Sequence, residues 1–272
     1  MAPRDWDDAF GNMGHVAGSS DLPKLWAQRA SAYRKRLSST QLDVAYGAHP
    51  REVFDLLVPD ESPKGVALFE HGGFWLRLDK SFWSYLAEGM RAQGWAVCLP
   101  SYCLAPEMRI ADITRQIGVA IEKAASIVDG PLHICGHSAG GHLVTRMICD
   151  EGPRDRDVRS RIAVCLSISG LHDLRPLMKT AMNTKLRLDQ DEARAESPAL
   201  REPIGDVAVT CWVGGGERPE FIRQSELLAK MWGGLDCNVK LKIDGTHNHF
   251  TVLDALENPN SDLISAWCGT KS

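Results

Sequence analysis

Short apolar runs alternate along the chain with stretches whose apolar residues recur every three or four positions. The runs at 53–58, 66–69, 95–99, 132–135, 162–168, 207–213 and 239–243 have the length and continuity of buried strands. Helical spacing appears in Leu22, Leu25, Trp26, Tyr33 and Leu37 behind a capping Asp21, and in Phe82, Trp83, Leu86 and Met90 up to Gly94. It returns in Ile110, Ile113, Ile117, Ile121, Ala124 and Val128, and over 139–149. A further helix carries Phe221, Leu228 and Met231 between Pro219 at its start and Gly233-Gly234 at its end. Strands that are apolar throughout need cover on both faces. The pattern therefore predicts an α/β fold with a mostly parallel central sheet and helices on both sides.

No repeat, low-complexity tract or long Pro/Gly/Ser linker divides the chain, so 1–272 is expected to form one domain, with 1–50 as an N-terminal helical segment. Over about 173–201 the helical pattern is less regular, which suits either a cap over a pocket or an ordinary connection. The mixed charges of 154–161 read as a solvated turn. At 44% hydrophobic and 24% charged the chain is too rich in core-formers for disorder. A net charge of −4 offers no footprint for a nucleic-acid backbone. The apolar runs stop well short of the ~18 residues that span a bilayer. The acidic start lacks a secretory apolar stretch, so a cytoplasmic protein without membrane or nucleic-acid partners is expected. Most of the 8 cysteines sit inside apolar segments and none forms a C-x-x-C pair, which predicts reduced core thiols rather than zinc ligands.

Candidate chemistry enters at the end of the run 132–135, which passes into Gly136-His137-Ser138-Ala139-Gly140-Gly141. This is G-x-S-x-G between a strand and a helix, a sharp turn that pushes a serine Oγ outward while glycines avoid collision with neighbouring backbone. The helix start supplies a free N–H from Ala139 where an oxyanion would form. Run 66–69 ends in Glu70-His71-Gly72-Gly73-Phe74-Trp75. Its glycines leave amides unobstructed, so Gly73 and Phe74 are expected as further oxyanion donors, with Gly72 a close competitor. Phe74 and Trp75 suit the wall of a small flat pocket, and His71 suits a loop-holding hydrogen bond. Glu70, at a buried strand end, needs a partner that the sequence does not identify.

A serine nucleophile needs a general base, and the base an orienting carboxylate. On a strand–turn–helix scaffold of this kind the acid and then the histidine follow on loops after later strands. Run 207–213 leads into Gly214-Gly215-Gly216-Glu217, with Glu217 at the acid's position and Glu220 and Asp244 as rivals. Run 239–243 leads into Asp244-Gly245-Thr246-His247-Asn248-His249; His249, just before the apolar segment 250–256, is favoured over His247. The H-x-H pair has no evident third ligand for a metal.

His71-Gly-Gly-Phe-Trp75 together with Gly136-His-Ser-Ala-Gly-Gly-His-Leu143 resembles the kynurenine formamidase (arylformamidase) branch of the α/β-hydrolase superfamily, beside the hormone-sensitive-lipase-like esterases. The likeness extends through Ser169-Gly-Leu-His-Asp-Leu-Arg-Pro176, Glu196-Ser-Pro198, Pro219-Glu-Phe-Ile-Arg-Gln-Ser225 and Asn248-His-Phe250. It implies an α/β-hydrolase fold and a triad of Ser138, Glu217 and His249 without metal or organic cofactor. Family members usually place aspartate where this chain has Glu217. Tyr102-Cys-Leu-Ala-Pro-Glu107 resembles the Y-R-L-A-P-E stretch of related esterases, with cysteine in place of the arginine. Gly72, Trp75 and Tyr102 are then expected against a small ester or amide substrate. The implied reaction is hydrolysis of an aryl formamide, amide or ester through an acyl-enzyme. A general short-chain carboxylesterase and a non-catalytic ligand-binding relative are the competing expectations. Oligomeric state is not indicated.

Overall fold

The computed structural model describes residues 4–150, 152–245 and 247–269. Its sheet comprises β1 (Thr40–Ala45), β2 (Val53–Leu57), β3 (Val66–Glu70), β4 (Ala96–Pro100), β5 (Leu132–His137), β6 (Ile162–Ile168), β7 (Ala208–Gly214) and β8 (Val239–Asp244). The strands lie in the order β1-β2-β4-β3-β5-β6-β7-β8. β2 runs antiparallel to both its neighbours, and the pairings among β3 to β8 are parallel. Each expected apolar run is a strand of this sheet, and the α/β-hydrolase fold class is the observed one.

Burial explains why the runs were readable. Every residue of β3, β4 and β5 is buried, and alternate residues of β3 enter different cores. Val66 and Leu68 pack with Ile113, Ile117 and Leu143, from helices Ile110–Ala125 and Ala139–Met147. Ala67 and Phe69 pack with Trp26, Met90 and Trp267 on the opposite face. A strand with a core on each side has little room for polar residues, hence its nearly unbroken apolar sequence.

β1 escaped the pattern for the complementary reason. As an edge strand it is mostly exposed, and its sequence TQLDVA alternates poorly. Its register breaks between Gln41 and Val44 around Asp43, which adopts φ 55°. Polar contacts hold this break: the Asp43 N–H donates to Asp55, and the Lys80 ammonium bonds Asp43 at 2.7 Å and Asp55 at 2.6 Å.

Other expectations need correction. Asp21 makes no capping bond, because the turn Ser19–Asp21 already winds as 3-10 helix into Leu22–Arg34. The stripe over 82–90 is split into 3-10 turns Lys80–Phe82 and Ser84–Ala87 and a short helix Glu88–Ala92. The stretch 154–161 contains helix Arg156–Ser160, nucleated by the Asp155 carboxylate accepting from the Asp157 and Val158 amides. Over 173–201 lie helices Asn183–Leu186 and Gln190–Ala195 between 3-10 turns. Leu177, Leu186 and Ala193 anchor this segment in the core while Met182 and Lys185 face a cavity, so it both connects and covers. All eight cysteines are free thiols. No helix among the described residues is long and apolar enough to cross a membrane.

Candidate active site

β5 delivers Ser138 at φ 56° and ψ −116°, a backbone region few side chains tolerate, immediately before helix Ala139–Met147. The turn is that tight because nothing intervenes. A Cβ on Gly136 would overlap the Gly140 carbonyl, and one on Gly140 would overlap the Glu70 carbonyl at the end of β3. Any larger residue at either position would separate the elbow from the strands that hold it.

Two later strands bring in the other groups. Glu217 follows β7 and His249 follows β8, and His249 Nδ1–H donates to Glu217 Oε2 at 2.6 Å with both side chains almost wholly buried. Glu217 Oε1 accepts the Ser169 hydroxyl and, at 2.9 Å, the Gly214 N–H. Both carboxylate oxygens are thus engaged, and the carboxylate fixes the proton on Nδ1, leaving Nε2 as the basic edge of the ring. The His137 ring lies 4.5 Å from that of His249, and its Nε2–H donates to the His249 carbonyl at 2.9 Å. Burial, with the neighbouring His249, holds the His137 pKa well below the usual histidine range, so it is a neutral strut.

Ser138 and His249 line one cavity of about 590 Å³ with Gly72, Gly73 and Phe74. The loop of these residues is bent by left-handed backbone at Gly73, Phe74 and Trp75, with φ of 117°, 55° and 57°. It lies against the elbow, since a Cβ on Gly72 would come within 3.0 Å of Ser138 Cβ. The Ala139 amide opens the helix behind Ser138, where first-turn N–H groups lack intrahelical acceptors.

Two residues expected against substrate lie elsewhere. Trp75 is 0% exposed, because the bent loop places its indole in the core, edge-on to His142 at 5.0 Å. Tyr102 is also fully buried; it stacks on His71 at 4.4 Å and donates its hydroxyl to the His71 carbonyl. Both support the donor loop from behind and neither lines the cavity. His71 bonds the Gly72 carbonyl at 2.7 Å, the loop-holding role expected of it. Glu70 accepts the His71 amide, and complete burial pushes its pKa well above the usual carboxylate range, disfavouring the charged form.

The rival acids and base sit apart from this arrangement. Glu220 pairs with Arg4 and Arg223, and Asp244 faces His247 at 3.7 Å. Among the described residues no group of three or more His, Cys, Asp or Glu side chains could hold a metal. Two participants were missed. Ser169, on left-handed backbone after β6, opens the family-like stretch 169–176, but that stretch assigned it no role. The N-terminal stretch supplies Asp7, Phe10, Asn12 and Met13 to the cavity wall. Its one readable signal was Asp5, which caps helix Trp6–Phe10 with acids in the first turn.

The neutral buried histidines set an acid limit. Burial lowers His71 and His133 to about 4 and His142 and His172 to about 3, and holds His137 well below its ordinary value. Below the ordinary value of 6.5 the unfolded chain binds protons that the folded one refuses, so stability present above pH 6.5 is lost as pH falls toward those values. Each such group contributes up to about 1.4 kcal/mol per pH unit. Thermal unfolding is expected to show Tm declining already between about pH 6.5 and 5, before most carboxylates titrate; a flat Tm across that window would contradict neutral burial.

No protein-family model matches the chain. It is 28% identical over 237 residues to a kynurenine formamidase of Danio rerio, covering 83% of this chain and 80% of that protein. A crystal structure from Silicibacter, described as a candidate thioesterase, is 43% identical and superposes with a TM-score of 0.92 over 98% of this chain and 100% of that one. An esterase of Pyrobaculum calidifontis shares the fold at 14% identity, with a TM-score of 0.72 over 92% of this chain and 93% of the other. These relatives and the sheet place the chain among hydrolases. It has the α/β-hydrolase fold, and its sequence relatives include kynurenine formamidases.

Proposed function

We propose that this chain is a serine hydrolase that cleaves a small aryl formamide or ester through an acyl-enzyme. The observation that carries the reading is the buried 2.6 Å bond from His249 to Glu217, beside a cavity whose wall also holds Ser138. His249 takes the Ser138 proton as the hydroxyl attacks the carbonyl carbon, and Glu217 stabilises the imidazolium. The amides of Gly73, Phe74 and Ala139 hold the oxyanion, each such donor worth about 2.7–4 kcal/mol. His249 then gives its proton to the leaving nitrogen or oxygen, and water repeats the attack on the acyl group. Aromatic walls from Phe10, Trp26 and Phe74 suit a flat leaving group.

The 43% identity to a candidate thioesterase favours a second reading, the same steps acting on an ester or thioester. Measuring kcat/KM for N-formylkynurenine, a p-nitrophenyl ester and an acyl thioester separates the two. Preference for the formyl amide is expected, and a strong ester or thioester preference would replace that substrate assignment. Failure of a fluorophosphonate probe to label Ser138 would overturn the serine mechanism itself.

A further inference from the structure

A second hollow, of about 550 Å³, borders Glu217 and His249 and carries His15, Val16, Ala17 and Arg218 on its wall. His15 and Ala17 are exposed, so it opens to solvent at their end. Asn12 and His249 line both this hollow and the 590 Å³ chamber before Ser138, and the two spaces meet at these residues. They differ in character. Phe10, Trp26, Phe74, Trp83 and Phe250 make the chamber aromatic, whereas Asn12, His15, Glu217, Arg218 and Asn248 make the hollow polar. Its outer end is braced by Arg218, which donates to the Asp8 carbonyl at 3.1 Å and to His15 Nδ1 at 3.2 Å. At the inner end the side-chain oxygens are committed. Both Glu217 oxygens are taken, and the Asn248 oxygen accepts the Phe250 and Thr251 amides at 2.9 and 3.1 Å. The open group is a donor: Asn12 is 6% exposed, yet its Nδ2 has no hydrogen-bond partner among the described residues. A buried amide without an acceptor weakens a fold, and a water molecule with further polar neighbours is its usual remedy.

We infer that this hollow is the entry for the water that releases the acyl group, and that Asn12 holds that water against His249. The inference rests on the hydrolase reading above and deepens its second half. The water accepts from Asn12 Nδ2–H and donates to His249 Nε2, which leaves its second lone pair for the acyl carbon. Attack forms the new C–O bond as the water proton passes to Nε2. The tetrahedral intermediate then collapses. Its bond to Ser138 Oγ breaks, and Oγ takes the proton from His249, giving the free acid and the free serine. A separate entry matters because an aromatic chamber retains an apolar leaving group. Water arriving past Asn12 does not wait for that group to clear the chamber's mouth.

The test reads how the acyl group of p-nitrophenyl acetate divides between water and added 1-butanol, an apolar alcohol suited to the chamber. The ratio of acetate to butyl acetate is set after acylation, so slower acylation or a smaller folded fraction cancels from it. Asn12→Leu, similar in volume, is expected to lower that ratio about fivefold, the usual effect of one lost hydrogen bond. Ala17→Trp, at an exposed position that lines the hollow and not the chamber, should lower it in the same direction by narrowing the entry. An unchanged ratio in Asn12→Leu overturns the water contact, and an unchanged ratio in Ala17→Trp overturns the route. Because Ala17 is exposed, the second variant decides the route even where the first does not fold, and Asn12→Ala then decides the contact. Absence of p-nitrophenol release, with no fluorophosphonate labelling of Ser138, would instead remove the hydrolase reading on which both depend.

Discussion

Ser138→Ala is expected to lower kcat on the order of 10⁵–10⁶-fold with KM and Tm nearly unchanged. The proposed reaction passes twice through a bond to this oxygen, and among the described residues Ser138 carries the only hydroxyl on the cavity wall. What survives should be the contribution of the donor amides and binding, roughly 10³–10⁴ over water. Stability should change little. Alanine removes one buried oxygen while keeping the same Cβ, and the unusual backbone at φ 56° is imposed by the strand and helix on either side. Steady-state kinetics with a thermal melt on the same preparation check both halves. Retention of more than a hundredth of the activity would mean that a different group attacks.

Glu217→Gln is expected to cost about 10⁴-fold in kcat in a protein that still folds. The carboxylate satisfies three donors: the His249 ring, the Ser169 hydroxyl and the Gly214 amide. A glutamine has one acceptor oxygen for them. If that oxygen stays with Ser169 and Gly214, the amide NH2 faces His249 and can only be accepted by a bare Nδ1. The ring proton then moves to Nε2, the edge that must receive the serine proton, and the base is lost by tautomer rather than by displacement. Glu217→Asp keeps the charge and should recover part of the loss. Comparable kcat in Glu217→Gln and the parent would show that the carboxylate does not orient the imidazole.

The legible parts of this molecule are those where one residue's environment is dictated by its own strand. β3 to β6 announce themselves because burial on both faces leaves little room for polar residues, and Ser138, Glu217 and His249 were candidates because each follows a strand end. Tyr102 was misplaced because its stacking on His71 across the fold is not written in its local sequence, and Trp75 because an aromatic beside a glycine loop can point either way. The left-handed turn at Phe74 and Trp75, which decides it, has no signature in residue type. The N-terminal wall was illegible for another reason. Its position depends on contacts across most of the chain, Asp8 with Arg218 and Arg4 with Glu220, and no local pattern encodes a partner some two hundred residues away.

That wall has a consequence for how such an enzyme can be remodelled. The first two dozen residues shape one side of the chamber, yet they contribute nothing to the ladder of the sheet, which begins at Thr40. They are held by the buried Phe10 against Phe221 and by ion pairs, Arg4 with Glu220 and Asp8 with Arg218, whose N-terminal partners are exposed. The proposed reacting groups and one wall of the cavity around them therefore reside on separate stretches of chain, and grafting a different N-terminal stretch onto the same sheet and helices would recut that wall while leaving Ser138, Glu217 and His249 in place.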